Sequence, residues 1–399
     1  MHGAWGMDYD AVIVGGGLAG SSLANTFARN GGRVFIVERE PQFRDRIRGE
    51  GMLPWGAGEA RRLGIHEALL DRCAQEARWW TAPDDNRDLI ETTPDGVGCL
   101  DFYHPEMQQC LLDLAVESGA ELWRPAEAID VVRGDPPRVR VRANGSEREI
   151  SARLVVGADG RNSRVRGQAG LTERRDPICL TCTGVLYRDL ALPEDAVQFV
   201  MNPTVQRLSI IFPVGQKRFR AYIAARQDAG ISFHGRDDAA RFVKESVVIG
   251  AAAEWFAPGA AIGPLASFNA PDVWAEHPYC DGIVLIGDAA TASDPCFGCG
   301  LSLTLRDVRV LSEALAATDD WRAAADHYAA EHDRYTADLR RVHSWFRELW
   351  FGAGPAAEAL RARAMPRFAE DPSRIADFIG CGPEAPSDET ARRRFFAED

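Results

Sequence analysis

The sequence predicts an α/β fold in which a Rossmann-like dinucleotide-binding domain is interleaved with a β-sheet domain and followed by a helical C-terminal segment. Three stretches predict it: "AVIVGGGLAGSSLANTFARNGGRVFIVERE" at residues 11–40, "ARLVVGADGRNSRVR" at 152–166, and "DGIVLIGDAATASDPCFGCGLSLTLRD" at 281–307. In each, a short apolar run stops at glycine, with an acid close by. Three βα junctions are thereby gathered at strand C-terminal ends, where an open parallel sheet forms its ligand crevice.

Ala11 to Val14 is apolar but too short for a helix, and it ends at Gly15, Gly16 and Gly17, so it reads as a buried parallel strand and a tight turn. Gly20 closes a G-x-G-x-x-G pattern. Leu23 and Phe27 keep helical spacing beside the small Gly20 and Ala24, and Gly31 and Gly32 stop that helix. Arg33 to Val37 is the second strand, with Glu38 at its end. A glycine turn lets backbone N–H groups reach a pyrophosphate at the helix N-terminus, and Glu38 can accept from ribose hydroxyls while repelling a 2′-phosphate. FAD and NAD satisfy this motif equally.

Leu154 to Val156 and Ile283 to Ile286 are the strands of the other two junctions. Between them, "AVQFVMN", "RLSIIFPV" and "RFRAYIAA" are β-rich runs separated by Pro193, Asn202–Pro203 and Gly215, which predicts a sheet over 178–272. Beyond Asp307, Leu311, Ala314 and Leu315 keep helical spacing. Trp345, Phe346, Leu349, Trp350 and Phe351 add an aromatic helix whose ordinary role is core or subunit packing. The domain order expected is 1–78, 99–177 and 273–340 for the nucleotide domain, 79–98 and 178–272 for the sheet domain, and 341–399 for the helical region.

With 399 residues and 46% hydrophobic content, the chain is long enough for two interleaved globular domains. A net charge of −13 argues against nucleic acid and anionic membrane surfaces as partners. No apolar run is long enough to span a bilayer, and the first strand starts too near Met1 to leave room for a secretory signal, so a cytoplasmic protein is expected. The nine cysteines read as thiols. Cys179 and Cys182, and Cys296 and Cys299, have C-x-x-C spacing. The first pair sits in a strand, where residues three apart face opposite sides, and the second in a glycine loop, so no metal site is expected.

The ordered trio GGGLAG with Glu38, GADGRNSRVR, and GDAATASDPCFGCGLSLTLRD resembles the FAD-dependent monooxygenases of the p-hydroxybenzoate hydroxylase type, over about residues 8–340. The resemblance implies a Rossmann-like FAD-binding domain. It implies that Gly15, Gly17, Leu18, Ala19, Gly20, Glu38 and Arg39 hold the ADP half of FAD. Asp159 and Gly160 serve the pyrophosphates, and Asp288 the ribityl region. Pro295, Gly298, Cys299, Gly300, Leu301 and Asp307 belong to the loop and helix facing the flavin ring. "RDRIRGEG" resembles the family's arginine-rich segment and nominates Arg48. His104 stands where the family often has Arg or Gln at the start of the helix before "LLDLAVESGA".

By the same resemblance, NAD(P)H reduces FAD, oxygen adds at the flavin C4a carbon as a hydroperoxide, and an oxygen atom passes to an electron-rich, aromatic or polycyclic small molecule. Absence of a separate nicotinamide motif also permits a partner flavin reductase. Arg220 and Tyr222 alternate onto one strand face and resemble an Arg-Tyr-Tyr stretch in hydroxybenzoate hydroxylases, with Ala221 interrupting it; Trp79, Trp80, Trp345 and Trp350 are candidate apolar walls. Cys296 and Cys299 are expected to fill a tight turn rather than to be redox active. Two other activities use the same FAD fold: halogenation, which needs a lysine where this chain has only Lys217 and Lys244, and reduction of prenyl double bonds.

Overall fold

The computed structural model describes residues 7–47, 49–83, 85–233, 235, 238–269 and 271–399. Its central sheet has eight strands. Six run in the order Tyr279–Cys280, Ile283–Leu285, Ser146–Gly157, Tyr9–Val14, Val34–Val37 and Glu121–Trp123; of two more, Arg138–Ala143 pairs with Ser146–Gly157 and Glu127–Val132 pairs with Arg138–Ala143. Ala11 to Val14 are buried on both faces, as a central parallel strand requires. Val14 is in register with Gly157 and with Val37, and Gly157 with Leu285, so the three glycine junctions leave the sheet along one edge.

The strand expected at Leu154 to Val156 is longer than its apolar run. Its first half, from Ser146, leaves the parallel sheet to pair antiparallel with Arg138–Ala143, and that exposed half is polar. The helix Leu18–Arg29 packs Leu23, Ala24 and Phe27 on the sheet.

A seven-stranded sheet lies across the first domain's ligand edge. Its order is Ala260–Asn269, Leu180–Arg188, Arg218–Arg226, Arg207–Pro213, Ala196–Asn202, Trp79–Ala82 and Asp85–Asp88. All neighbours are antiparallel except Ala196–Asn202 with Trp79–Ala82. On Arg218–Arg226 the alternation is complete. Phe219, Ala221 and Ile223 pack with Phe233 and Phe242 behind the sheet, while Arg220, Tyr222 and Ala224 face the other way.

Helices Gly300–Ala316, Trp321–Phe351 and Pro355–Glu370 follow. Trp321–Phe351 runs unbroken through residue 340, and fourteen of its residues are buried along its length. Among the described residues no helix is long and apolar enough to cross a membrane.

Candidate active site

Where the three junctions meet the underside of the seven-stranded sheet, a cavity of about 560 Å³ extends through the molecule. Gly15, Gly17, Leu18 and Ala19 line its first part. Gly15 has a φ of +108°, and a Cβ there would stand 2.3 Å from the Ala158 carbonyl oxygen, so only glycine closes this turn against the neighbouring strand. Gly20, expected on the ligand, is not on the cavity wall. A Cβ at Gly20 would lie 1.9 Å from the Gly15 carbonyl oxygen, so this glycine lets the helix pack on its own turn.

Glu38 and Arg39 line the same part. Glu38 is buried; its Oε2 accepts from the Gly16 N–H at 2.7 Å and its Oε1 from the Glu40 N–H at 2.6 Å, which ties the end of the second strand to the glycine turn. Asp159 and Gly160 also line the cavity, but the Asp159 carboxylate is taken up locally. It accepts from Ser163 Oγ at 2.5 Å and from the Arg164 N–H at 2.7 Å, fixing the turn that exposes Gly160 at φ +82°.

At the third junction Asp288 lines the cavity, followed by Pro295, Gly298, Gly300 and Leu301. Asp307, expected to face the ligand, lies behind: its Oδ2 accepts from the Gly287 N–H at 2.7 Å and its Oδ1 from Tyr335 Oη. The two loop cysteines separate as well. The short turn Pro295–Phe297 directs Cys296 to the cavity, whereas Cys299, expected beside the ligand, is fully buried with its Sγ 3.4 Å from His343 Nε2.

His104 lines the cavity as the first residue of the helix His104–Glu117, with Nδ1 2.8 Å from the Gly49 carbonyl oxygen. Gln108, one turn further along and unforeseen, lines it too. Its Nε2 comes within 3.4 Å of where a Cβ on Gly17 would stand. The spacing of four from His104 was the available signal. Arg48 lies outside the described residues.

Tyr222 is on the wall, but Arg220 is not; it is fully buried between Asp45 and Glu50. Glu50 was also unforeseen, because nothing in "RGEG" announces a buried carboxyl. Of the four candidate tryptophans, Trp80 and Trp350 line the cavity. Trp345 packs instead on Phe395, and Trp79 lies under Arg78.

These residues fit a flavin dinucleotide. Helices Leu18–Arg29 and Gly300–Ala316 both start on the cavity with no side-chain cap and no acid in the first turn, which leaves two sets of N–H groups for anionic or electron-rich atoms. Between them stand Glu38, Asp159 and Asp288, and past them the wall is apolar.

Fold and cavity thus define a dinucleotide flavoprotein. The family model for the FAD binding domain matches residues 8–343, and the chain belongs to that family, whose members of this type are FAD-dependent oxidoreductases related to p-hydroxybenzoate hydroxylase. Kynurenine 3-monooxygenase of Salinispora tropica is 28% identical over 89% of this chain and 85% of its own. Digeranylgeranylglycerophospholipid reductase 1 of Methanopyrus kandleri is 26% identical over 77% and 80%. Among solved structures, the flavin-dependent brominase Bmp2 superposes with a TM-score of 0.76 at 18% identity, covering 98% of both chains. The p-nitrophenol 4-monooxygenase PnpA of Pseudomonas putida gives 0.75 at 18%, covering 98% of this chain and 97% of that one.

Proposed function

We propose that the protein is a monooxygenase that uses FAD, reduced by NAD(P)H, to insert one atom of molecular oxygen into a neutral, electron-rich aromatic or polycyclic small molecule. The observation that carries this reading is the apolar end of the cavity. Trp80, Phe199, Leu208, Ile210, Phe268 and Trp350 line it, and rings join across it from Trp80 to Phe199 (5.4 Å), Phe199 to Trp350 (5.7 Å) and Trp350 to Phe297 (6.4 Å). A flat apolar substrate matches such walls.

When bound, reduced FAD supplies the activation of oxygen. The chain supplies the rest. Gly15, Gly17 and the start of helix Leu18–Arg29 bind the pyrophosphate, Glu38 the ribose, and Asp288 the ribityl hydroxyls. The N-terminus of helix Gly300–Ala316 stabilises negative charge beside it through its partial positive charge. The aromatic end keeps water from the reacting atoms and holds the substrate in one plane. Arg39, Arg44 and Arg46 on the wall offer a cationic approach to a phosphate-bearing reductant.

Halogenation is disfavoured because the chain's two lysines, Lys217 and Lys244, are both absent from the cavity wall. Double-bond reduction is the second reading, favoured by similarity to the reductases, and it needs no oxygen. The test is turnover of candidate polycyclic phenols under isotopically labelled oxygen gas. Label in the product is expected, with less peroxide released when substrate is present; label only from water, or full turnover without oxygen, overturns the reading.

A further inference from the structure

Glu50 immediately precedes the strand Gly51–Met52, whose Gly51 pairs with Asp101 on Cys99–Phe102. Glu50 and Asp101 are both fully buried. Neither oxygen of Asp101 has a hydrogen-bond partner, and a Cβ on Gly51 would stand 3.0 Å from Asp101 Oδ1. From the sheet above, Arg220 and Tyr222 reach Glu50. Arg220 Nη2 donates to Asp45 Oδ2 at 2.6 Å, Arg220 Nε lies 3.1 Å from Glu50 Oε1, and Tyr222 Oη donates to Glu50 Oε2. Tyr103 Oη donates to Asp45 Oδ2 at 3.4 Å.

Arg220 is thus shared by Asp45 and Glu50, while Asp101, beside Glu50, has no countercharge among the described residues. A carboxyl buried without a countercharge holds its proton. Asp101, which lacks a partner, keeps its own: burial, and then the neighbouring Glu50, push it well above the usual carboxylate range. Glu50 is the member poised to change charge. Burial raises it, Arg220 and Tyr222 oppose the rise, and the balance lies at about 7. Its Oε1 accepts no hydrogen bond, and of Asp45, Glu50, Asp101, Arg220 and Tyr222 only Glu50 and Tyr222 line the cavity.

We propose that Glu50 is the acid–base residue of this cavity, and that the substrate carries an ionisable hydroxyl, phenolic or enolic, placed against Glu50. The substrate O–H bond breaks and an O–H bond forms on Glu50; the electron pair stays on the substrate oxygen, which enriches the ring for attack by an electrophile, and the proton returns when product forms. Arg220 and Tyr222 are positioning residues. The proposal deepens the monooxygenase reading and rests on it for its purpose, but the proton transfer itself requires no turnover.

The test is equilibrium dialysis of the FAD-loaded protein against 1-naphthol and 1-methoxynaphthalene across the neutral pH range. Naphthol affinity is expected to rise about tenfold as Glu50 ionises, the worth of a hydrogen bond to a charged acceptor, while the methyl ether stays flat. Glu50→Gln abolishes the rise. Tyr222→Phe keeps it but moves it to higher pH, since a donor to the carboxylate is lost; a merely structural role would not shift the midpoint. Titration of His104 on the Gly49 carbonyl, or of Tyr103, Glu106 and Arg218 alongside, would leave the rise intact in Glu50→Gln. That result overturns the proposal, as does pH-independent or absent naphthol binding in the unaltered protein. Failure of the oxygenase reading appears separately, as unlabelled product with the naphthol titration unchanged.

Discussion

Gly17 and Gly20 belong to one motif and answer to different forces. At Gly20 an added Cβ would collide with the Gly15 backbone at 1.9 Å, whereas at Gly17 the nearest atom is the flexible end of Gln108 at 3.4 Å, with the cavity beside it. Gly20→Ala should therefore cost about 1–3 kcal/mol of protein stability through overpacking. Gly17→Ala should leave the melting temperature of the FAD-free protein nearly unchanged and still lower FAD retention, because its methyl group enters ligand space. Melting curves and flavin absorbance of the two variants separate the roles. The motif in the sequence names both glycines without distinguishing them, since both are required in the same turn. Cys296 and Cys299 pose the same problem: three residues apart in a loop, they part only because the turn at Pro295 sends one outward and one into the core. Glu50 was illegible for another reason. A carboxyl flanked by glycines and arginines reads as surface, and only the sheet laid over it makes it buried.

At the scale of elements, the aromatic end of the helix Trp321–Phe351 was legible as a core-packing helix, but the burial of a histidine within it was not. It carries His343 into the core, 4.4 Å from the Phe297 ring and stacked on it, with Nδ1 lacking a partner. Burial, reinforced by Arg347 and Arg340, depresses the imidazole from 6.5 to about 3, so it is neutral in the folded protein. Between those values the unfolded chain binds a proton that the folded protein does not. Stability from this group is complete above 6.5 and falls with acidification towards pH 3, by about 1.4 kcal/mol per pH unit at most. Denaturant titrations of His343→Gln and the unaltered protein across that acid window should give a shallower slope for the variant. Equal slopes would mean that His343 titrates normally. The absolute stabilities need not agree, because the variant alters packing against Phe297.

The whole molecule is closed by residues far apart in the chain. Phe378 and Ile379, in the short helix Phe378–Cys381, line the cavity, and Asp377 caps that helix through the Gly380 N–H at 3.0 Å. Asp377 also accepts two bonds from Arg87, at 2.9 and 2.7 Å, on the outermost strand of the seven-stranded sheet. The C-terminal region is thus fastened to the sheet edge at the cavity's apolar end, with both side chains less than one third exposed. Reading the sequence in segments could not join Arg87 to Asp377, since neither has a motif and 290 residues separate them. Asp377→Ala removes the cap and the bidentate pair, a loss of about 1–2 kcal/mol. That loss should fall on local opening of the C-terminal helices, because the FAD half of the cavity is built from other elements. Faster hydrogen exchange is therefore expected in residues 376–396, with unchanged FAD content, and more peroxide released per reductant oxidised as water reaches the apolar end. Unchanged exchange there, or loss of FAD along with it, would show that this contact is not what closes the cavity.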